Sequence, residues 1–319
     1  MASDAPAGER AGSGSSFIIA TRNRPELLVE AIKSLVAQTV LPRELCVVDS
    51  SEVAAARARI ESLCREAEIR LDYVHPAPAG LTVQRNLGVD RTTGDPVFFI
   101  DDDVWMAPDV HAEVLAEYAR RGPDVGGVRG VWLKPPAPRR LSLLWRRFFG
   151  METWRPEASG RMRAGFCTDV VTTSAEVRRV ESFVGWFMSF RREVFEHERF
   201  DEALGDYGFK EDADFSFRVA KRGYVLVQTP RAKIDHAKSP SQRLSPFELQ
   251  RMNMANHVYL HRKNMPQTLK YRTALWWALT GTFILNVGKS LETRDPGYAT
   301  GMVAGAWDQF TRRRRVSPR

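Results

Sequence analysis

The sequence predicts an α/β fold: a mostly parallel sheet flanked by helices on both faces, followed by a helical C-terminal extension. Three observations carry this. Residues 16–104 alternate apolar runs with helix-period segments in the order β-α-β-α-β-α-β, the pattern of a parallel sheet with crossover helices. The runs SFIIA, LCVV and VFFI are apolar without alternation, as strands buried on both faces must be. Residues 245–310 are helical in character and rich in apolar side chains.

Taken in order, SFIIA is a strand that ends in the polar turn TRNR. Pro25 opens a helix, where a missing N–H costs nothing, and Leu28, Ile32, Leu35 and Val36 give it one apolar face. Leu45 to Val48 form a second strand ending at Asp49, an Ala- and Arg-rich helix spans roughly 53–67, and Ile69, Leu71 and Tyr73 alternate as a third strand. Gln84 to Asp90 reads as a helix, and Val97 to Ile100 as a fourth strand ending in Asp101-Asp102-Asp103. A helix over 109–120, a Gly-rich strand over 125–133 and an excursion over 134–165 follow. Phe183 to Phe190 is apolar and aromatic, 212–222 is a helix stopped by Gly223, and a strand from Tyr224 runs to Asp235-His236. This divides the chain into a disordered, Gly/Ser-rich leader (1–15), a catalytic domain (16–240) with halves at 16–104 and 105–240, and a C-terminal extension (241–319) with a basic tail.

The net charge of +8, from 47 basic and 39 acidic residues in 319, favours anionic partners. Three cysteines without a CxxC pair argue for a reducing compartment and against a zinc site. No secretory signal is visible, and the longest apolar run, Ala274 to Val287, is short for a membrane span. Nucleic-acid binding is not expected, since no recognisable module interleaves aromatic with basic residues.

Ligands of open α/β sheets bind beyond the carboxyl ends of the strands. Thr21-Arg22-Asn23-Arg24, Asp49 and the triplet Asp101-Asp102-Asp103 should therefore share one crevice. Three adjacent carboxylates repel one another unless a cation joins them, and Mg²⁺ or Mn²⁺ takes such oxygen ligands while bridging phosphates. Glu211-Asp212-Ala213-Asp214 opens a helix; carboxylates there are favoured by the dipole, and one of them can accept a proton from a hydroxyl. His236, after Asp235, is a candidate third metal ligand.

Together these segments resemble a family 2 glycosyltransferase with the GT-A fold. The matching stretches are FIIATRNRPELLVEAIKSLVAQT, ELCVVDSSE, QRNLGVDRTTGDPVFFIDDDV, VGWFMSFRREVFEHERFDEAL, GFKEDADFSFRVAKRGY and IDH, which span about 16–237 in the family's order. The resemblance implies a nucleotide-sugar donor, a UDP-, GDP- or dTDP-sugar, contacted by Thr21, Arg22, Asn23, Arg24 and Asp49, with Arg85 and Asn86 near the base or phosphates. It places Asp101 and Asp102 on the donor, Asp101, Asp103 and His236 on a Mg²⁺ or Mn²⁺ ion, Asp212 as catalytic base with Glu211 beside it, and Gly185 and Trp186 in the acceptor pocket. The nucleotide loop reads ATRNR where the family more often has P-x-Y/F-N, and the metal motif is all acid. The reaction implied is inverting transfer of a hexosyl or deoxyhexosyl group to an acceptor hydroxyl, in cell-surface polysaccharide, glycolipid or glycoconjugate synthesis. The competing readings are another nucleotide-dependent transferase, such as a nucleotidyltransferase, and a non-catalytic basic membrane-binding protein.

Leu141 to Phe149 mixes apolar, aromatic and basic residues as interfacial helices do, and Trp276-Trp277 with the run after them could act likewise. A glycan or lipid-linked acceptor, and a cytoplasmic protein resting on the anionic inner face of the membrane, would follow.

Overall fold

A computed structural model describes residues 13–134, 140–154, 159–168, 176–205, 207–236 and 244–312. The first half follows the expected alternation: β1 (Ser16–Thr21), α1 (Pro25–Val36), β2 (Glu44–Asp49), α2 (Arg57–Glu66), β3 (Arg70–Val74), α3 (Leu81–Arg91) and β4 (Val97–Asp101). Then come β5 (Val104–Met106), α4 (Val110–Arg121), β6 (Val125–Trp132), α5 (Arg140–Phe148), β7 (Arg178–Val180), β8 (Phe187–Phe190), α6 (Glu211–Lys221) and β9 (Val225–His236). The chain continues through α7 (Pro246–Asn264), α8 (Leu269–Thr293) and α9 (Gly297–Arg312).

The strands form one sheet in the order β3-β2-β1-β4-β8-β6-β9-β5, with β7 on β9. Strands β1 to β4 are mutually parallel, β8 runs antiparallel to β4 and β6, and β5 and β7 run antiparallel to β9. Side-chain alternation splits the core. Phe17, Ile19, Val47, Phe98 and Ile100 pack on one face; Ile18, Cys46, Val48, Phe99, Met188, Phe190 and Phe215 pack on the other. This is why the strands read as continuously apolar. The three cysteines are free.

Residues 1–12 of the expected leader lie outside the described residues, but Ser13 to Ser15 belong to the fold. Ser15 is buried, and its hydroxyl sits 2.8 Å from Nε2 of His111. The His111 Nδ1 faces the Val40 carbonyl at 2.7 Å, so the neutral ring donates there and accepts from serine. Its ring stands nearly perpendicular to the stacked rings of Phe17 and Phe98, with centres 5.1 and 5.0 Å away. Burial lowers the His111 pKa from 6.5 to about 4. On acidification the unfolded chain takes this proton first. The stability His111 contributes is therefore complete above 6.5 and lost as the pH falls towards 4, at most about 3 kcal/mol. Urea midpoints followed from neutral pH downwards should fall more steeply in the wild type than in His111→Gln; equal slopes would remove His111 as the source.

The C-terminal helices form their own core from Met254, Val258, Leu275, Leu279 and Met302. Gly301 and Gly305 of α9 touch the α7 backbone: a Cβ on either would stand 2.3 Å from the Phe247 carbonyl oxygen or 2.2 Å from that of Arg251. Most of the basic tail, 313–319, lies outside the described residues.

Candidate active site

Sheet register sets the site. Thr21 pairs with Asp49 across β1–β2, and Ala20 with Asp101 across β1–β4, so three strand ends lie side by side. The Gln84 amide on α3 clamps them, donating to the carbonyls of Thr21 (3.1 Å) and Val48 (2.7 Å). Beyond this edge opens a cleft of about 1660 Å³ whose walls include Thr21, Arg22, Asn23, Arg24, Arg85, the three aspartates, Gly185, Trp186, Glu211 and Asp212.

The members of the acidic triplet have different surroundings. Asp102 points inward, accepting hydrogen bonds from the Thr21 hydroxyl at 2.7 Å and from Arg24 at 3.1 Å. Burial pushes its carboxyl up to about 6, while Arg24 and Thr21 hold it down. Asp103 lies 3.7 Å from Arg24. Asp101 is the most open of the three, its side chain 35% exposed. Asp102 therefore fixes the loop after β1, while Asp101 and Asp103 bring their carboxylates to the cleft beside Arg85 and Arg24. Asn23 adopts a left-handed conformation (φ 53°) that asparagine tolerates; its N–H donates to the Ser51 hydroxyl and its Oδ1 accepts from Glu52 N–H, joining the loops after β1 and β2.

Opposite the triplet, α6 begins with Glu211 and Asp212. The Asp212 oxygens accept from the N–H groups of Ala213 and Gly185, both at 2.7 Å. The carboxylate is thereby fixed at the cleft wall. Burial raises its pKa, and the two N–H donors and Arg85 oppose that. Gly185 is required by this approach, because a Cβ there would lie 2.8 Å from Glu211 Oε1 and 3.3 Å from Asp212 Cβ. Trp186 stacks on Trp132 with ring centres 6.2 Å apart.

Arg85 joins the two sides. Its guanidinium is 3% exposed and donates to Glu211 Oε1, to Asp101 Oδ1 at 3.1 Å and to the Gly185 carbonyl at 3.0 Å. Phe99 and Phe200 pack on it at 5.9 and 5.5 Å. Glu211 Oε2 is buried without a hydrogen-bond partner among the described residues. Burial pushes the Glu211 carboxyl well above the ordinary range, with Arg85 opposing and Asp212 and Asp101 adding to it.

Three sequence-predicted residues are placed elsewhere. Asn86 faces away from the cleft: its amide donates to the Phe200 carbonyl (3.0 Å) and Glu202 (2.8 Å) and its oxygen accepts from Phe200 N–H (2.9 Å). Its hydrogen-bonding capacity is spent on holding the 200–204 turn. Asp49 accepts from the Tyr73 hydroxyl (2.6 Å) and Ser51 N–H (2.8 Å) and is not among the residues that line the cleft. His236 ends β9 opposite Val104, next to Asp103 in the chain, and is likewise not a cleft-lining residue. Among the described residues no three His, Cys, Asp or Glu side chains converge as a metal cage.

Two cations near Asp212 were not anticipated. Arg129 is buried beside Trp186, and burial lowers its pKa to about 10 against the pull of Asp212. A charge inside the otherwise apolar strand VGGVRGVW is the signal that could have exposed it. Lys210, at the start of α6, lines the cleft.

The same architecture recurs among solved structures. A mannosyltransferase from Pyrobaculum calidifontis, in complex with GDP-Man and Mn²⁺, superposes with a TM-score of 0.57 at 17% identity, covering 95% of this chain and 90% of that one. S. aureus TarS in complex with UDP-GlcNAc gives 0.57 at 14% identity, covering 90% and 79%. These likenesses establish the GT-A fold. At the sequence level, the succinoglycan biosynthesis protein ExoM of Rhizobium meliloti is 30% identical over 234 residues, 71% of this chain and 67% of that protein. An uncharacterized glycosyltransferase of Bacillus subtilis, EpsJ, is 28% identical over 66% of this chain but only 58% of its own length. The description "Glycosyl transferase family 2" matches residues 16–198, the stretch that holds the clamped strand ends, the triplet and Gly185, and with it the chain belongs to glycosyl transferase family 2.

Proposed function

We propose that this glycosyltransferase moves a hexosyl or deoxyhexosyl group from a nucleotide sugar to an acceptor hydroxyl by one inverting displacement, in synthesis of a cell-surface polysaccharide or glycoconjugate. The observation that carries this reading is the placement of Asp212, held by two backbone N–H groups across the cleft from the triplet. In this reading Asp212 accepts the proton of the attacking hydroxyl, and the loop Thr21 to Arg24 holds the nucleotide. Arg85 fixes the distance between the two halves. The relatives' names support polysaccharide synthesis, and neighbours solved with GDP-Man and UDP-GlcNAc support the donor class.

The donor set fits a hard divalent ion. Asp101 and Asp103 offer carboxylate oxygens at the cleft, and Mg²⁺ or Mn²⁺ is commonly held by one or two carboxylates plus substrate phosphates instead of a closed protein cage. When bound, such an ion neutralises charge on the departing diphosphate. Purified protein incubated with Mn²⁺ and a panel of nucleotide sugars should release nucleoside diphosphate from at least one, and EDTA should abolish the release. Release of pyrophosphate instead would indicate nucleotidyl transfer and overturn the reading.

A peripheral membrane position belongs to the same proposal. No helix of the described residues is long and apolar enough to cross a membrane. The α5 and α8 helices are fastened together by Trp145 Nε1–H to the Gly281 carbonyl and Trp277 Nε1–H to the Phe148 carbonyl. One face of each pair packs inward. Outward stand Leu141 (82% exposed), Leu144, Phe148, Trp276, Trp277, Ile284 and Leu291, with Arg140, Arg147 and Arg272 nearby in sequence. An apolar strip beside basic residues suits an anionic bilayer surface. Flotation with vesicles containing phosphatidylglycerol should carry the wild type upward and leave Leu141→Asp/Leu144→Asp behind; equal flotation would exclude this face.

A further inference from the structure

The acceptor side of the cleft holds charge that the reading above does not use. Lys210 immediately precedes Glu211 and adopts a left-handed conformation, φ 72°. Its Nζ lies 3.2 Å from Nδ1 of His257. The His257 ring is buried, and its Nε2 lies 2.7 Å from the Gly165 carbonyl. A carbonyl only accepts, so Nε2 carries the proton and Nδ1 accepts from the lysine. His257 therefore anchors Lys210 without neutralising it. Among the described residues Lys210 makes no ion pair. Arg146, at the end of α5, lines the same cleft. Its Nε is paired with Glu152 at 2.9 Å, while its two terminal nitrogens make no hydrogen bond or ion pair among the described residues. Burial disfavours the Lys210 cation, Cys167 and Asp212 favour it, and the Arg146 charge adds to the penalty. Two like charges on the wall of one cleft are costly until an anion joins them.

The geometry points to an anion subsite formed by Lys210 and Arg146, with His257 as the positioning residue for Lys210, that takes a phosphate group on a lipid-linked acceptor. This rests on the glycosyl-transfer reading. The surroundings support a lipid phosphate in particular. Arg146 lies on the side of α5 away from Leu141, Leu144 and Phe148, since those three follow an i, i+3, i+7 stripe and Arg146 falls between its rows. The helix thus offers a cation to the cleft and, on its opposite side, exposed apolar residues suited to a bilayer surface, so a lipid-linked acceptor would meet both on one helix. Lys210 caps the helix whose second residue is Asp212, and both line the same cleft, so a phosphate held at Lys210 would lie on the side of the cleft that carries Asp212.

The test uses the full chain, saturated with nucleoside diphosphate and Mn²⁺ so that the donor side is filled. Binding of decyl phosphate, inorganic phosphate and uncharged decyl maltoside is measured by titration calorimetry below micelle concentrations. Decyl phosphate should bind more tightly than either of the others. Lys210→Met and Arg146→Gln should each weaken it on the order of tenfold or more, the worth of a charge-assisted hydrogen bond, and by more than they weaken nucleoside diphosphate. Lys210→Arg should recover part of the loss, and thermal unfolding of each variant checks that the fold persists. Unchanged decyl phosphate affinity in both folded variants overturns the subsite. A parallel loss of nucleoside diphosphate affinity of the same size would assign Lys210 and Arg146 to the donor diphosphate and overturn it too. Absence of sugar-nucleotide turnover with decyl phosphate binding intact would instead sink the glycosyl-transfer reading and leave the subsite standing.

Discussion

Asp212→Asn is expected to lower turnover of the nucleotide sugar by about 10²–10⁴-fold, the usual worth of a positioned general base, while donor affinity stays near that of the wild type. The residue takes two N–H donors, one on each oxygen. Asparagine offers one oxygen and one NH₂, so either Gly185 or Ala213 loses its acceptor. That costs about 1–3 kcal/mol of stability, and thermal unfolding must be measured beside turnover. The pH profile gives an independent check. A base works ionised, and burial raises the Asp212 pKa from its ordinary value of 3.8. The rate should therefore rise with pH along an acid limb whose midpoint lies above that value, and the limb should vanish from the residual activity of the variant. A folded variant with turnover within threefold of wild type would remove Asp212 from the reaction.

The helix that opens on Glu211 and Asp212 was legible in the sequence, because paired acids suit the positive end of a helix dipole and Gly223 marks its stop. The crevice was legible for a similar reason: uninterrupted apolar strands must be central and parallel, and the polar residues that end them must meet at one edge. What could not be read was whether each polar side chain keeps a free valence. Asn86 and Arg85 are neighbours in one motif and both are buried, yet α3 turns the asparagine onto Phe200 and the arginine into the cleft. Asp49 and Asp101 end the two strands that flank β1, yet the first is taken up by the Tyr73 hydroxyl and Ser51 N–H and the second by Arg85. Short elements were missed for a different reason. The three residues of β5 or β7 are too few to show a period, and they exist because β9 offers them an edge. The leader was drawn too long because small polar residues carry no mark of the buried histidine that Ser15 meets.

Arg85 is where the two halves of the site depend on one side chain, and its replacement should be the most damaging to the fold. Arg85→Met removes the only cation within hydrogen-bonding reach of Glu211 among the described residues. Stranding one partner of a buried ion pair costs about 3–5 kcal/mol, and for a chain of this size each kcal/mol lowers the melting temperature by about 1–2 °C. Glu211 can escape part of this by taking a proton, which places the loss on the alkaline side. Once Arg85 no longer opposes burial, the Glu211 pKa in the folded state rises further above that of the unfolded chain. The variant should therefore lose stability relative to wild type as the pH rises and the carboxyl is forced to ionise. Arg85→Lys should fall between the two, since an ammonium cannot span Glu211, Asp101 and the Gly185 carbonyl together as the guanidinium does. The double variant Arg85→Met/Glu211→Gln discriminates between causes. Recovery of most of the lost stability would show that the stranded carboxylate is the penalty, whereas additive losses would place it in the packing of Arg85 against Phe99 and Phe200. Turnover should not recover in either case, because Asp101 and Gly185 would still have lost the group that sets one side of the cleft against the other.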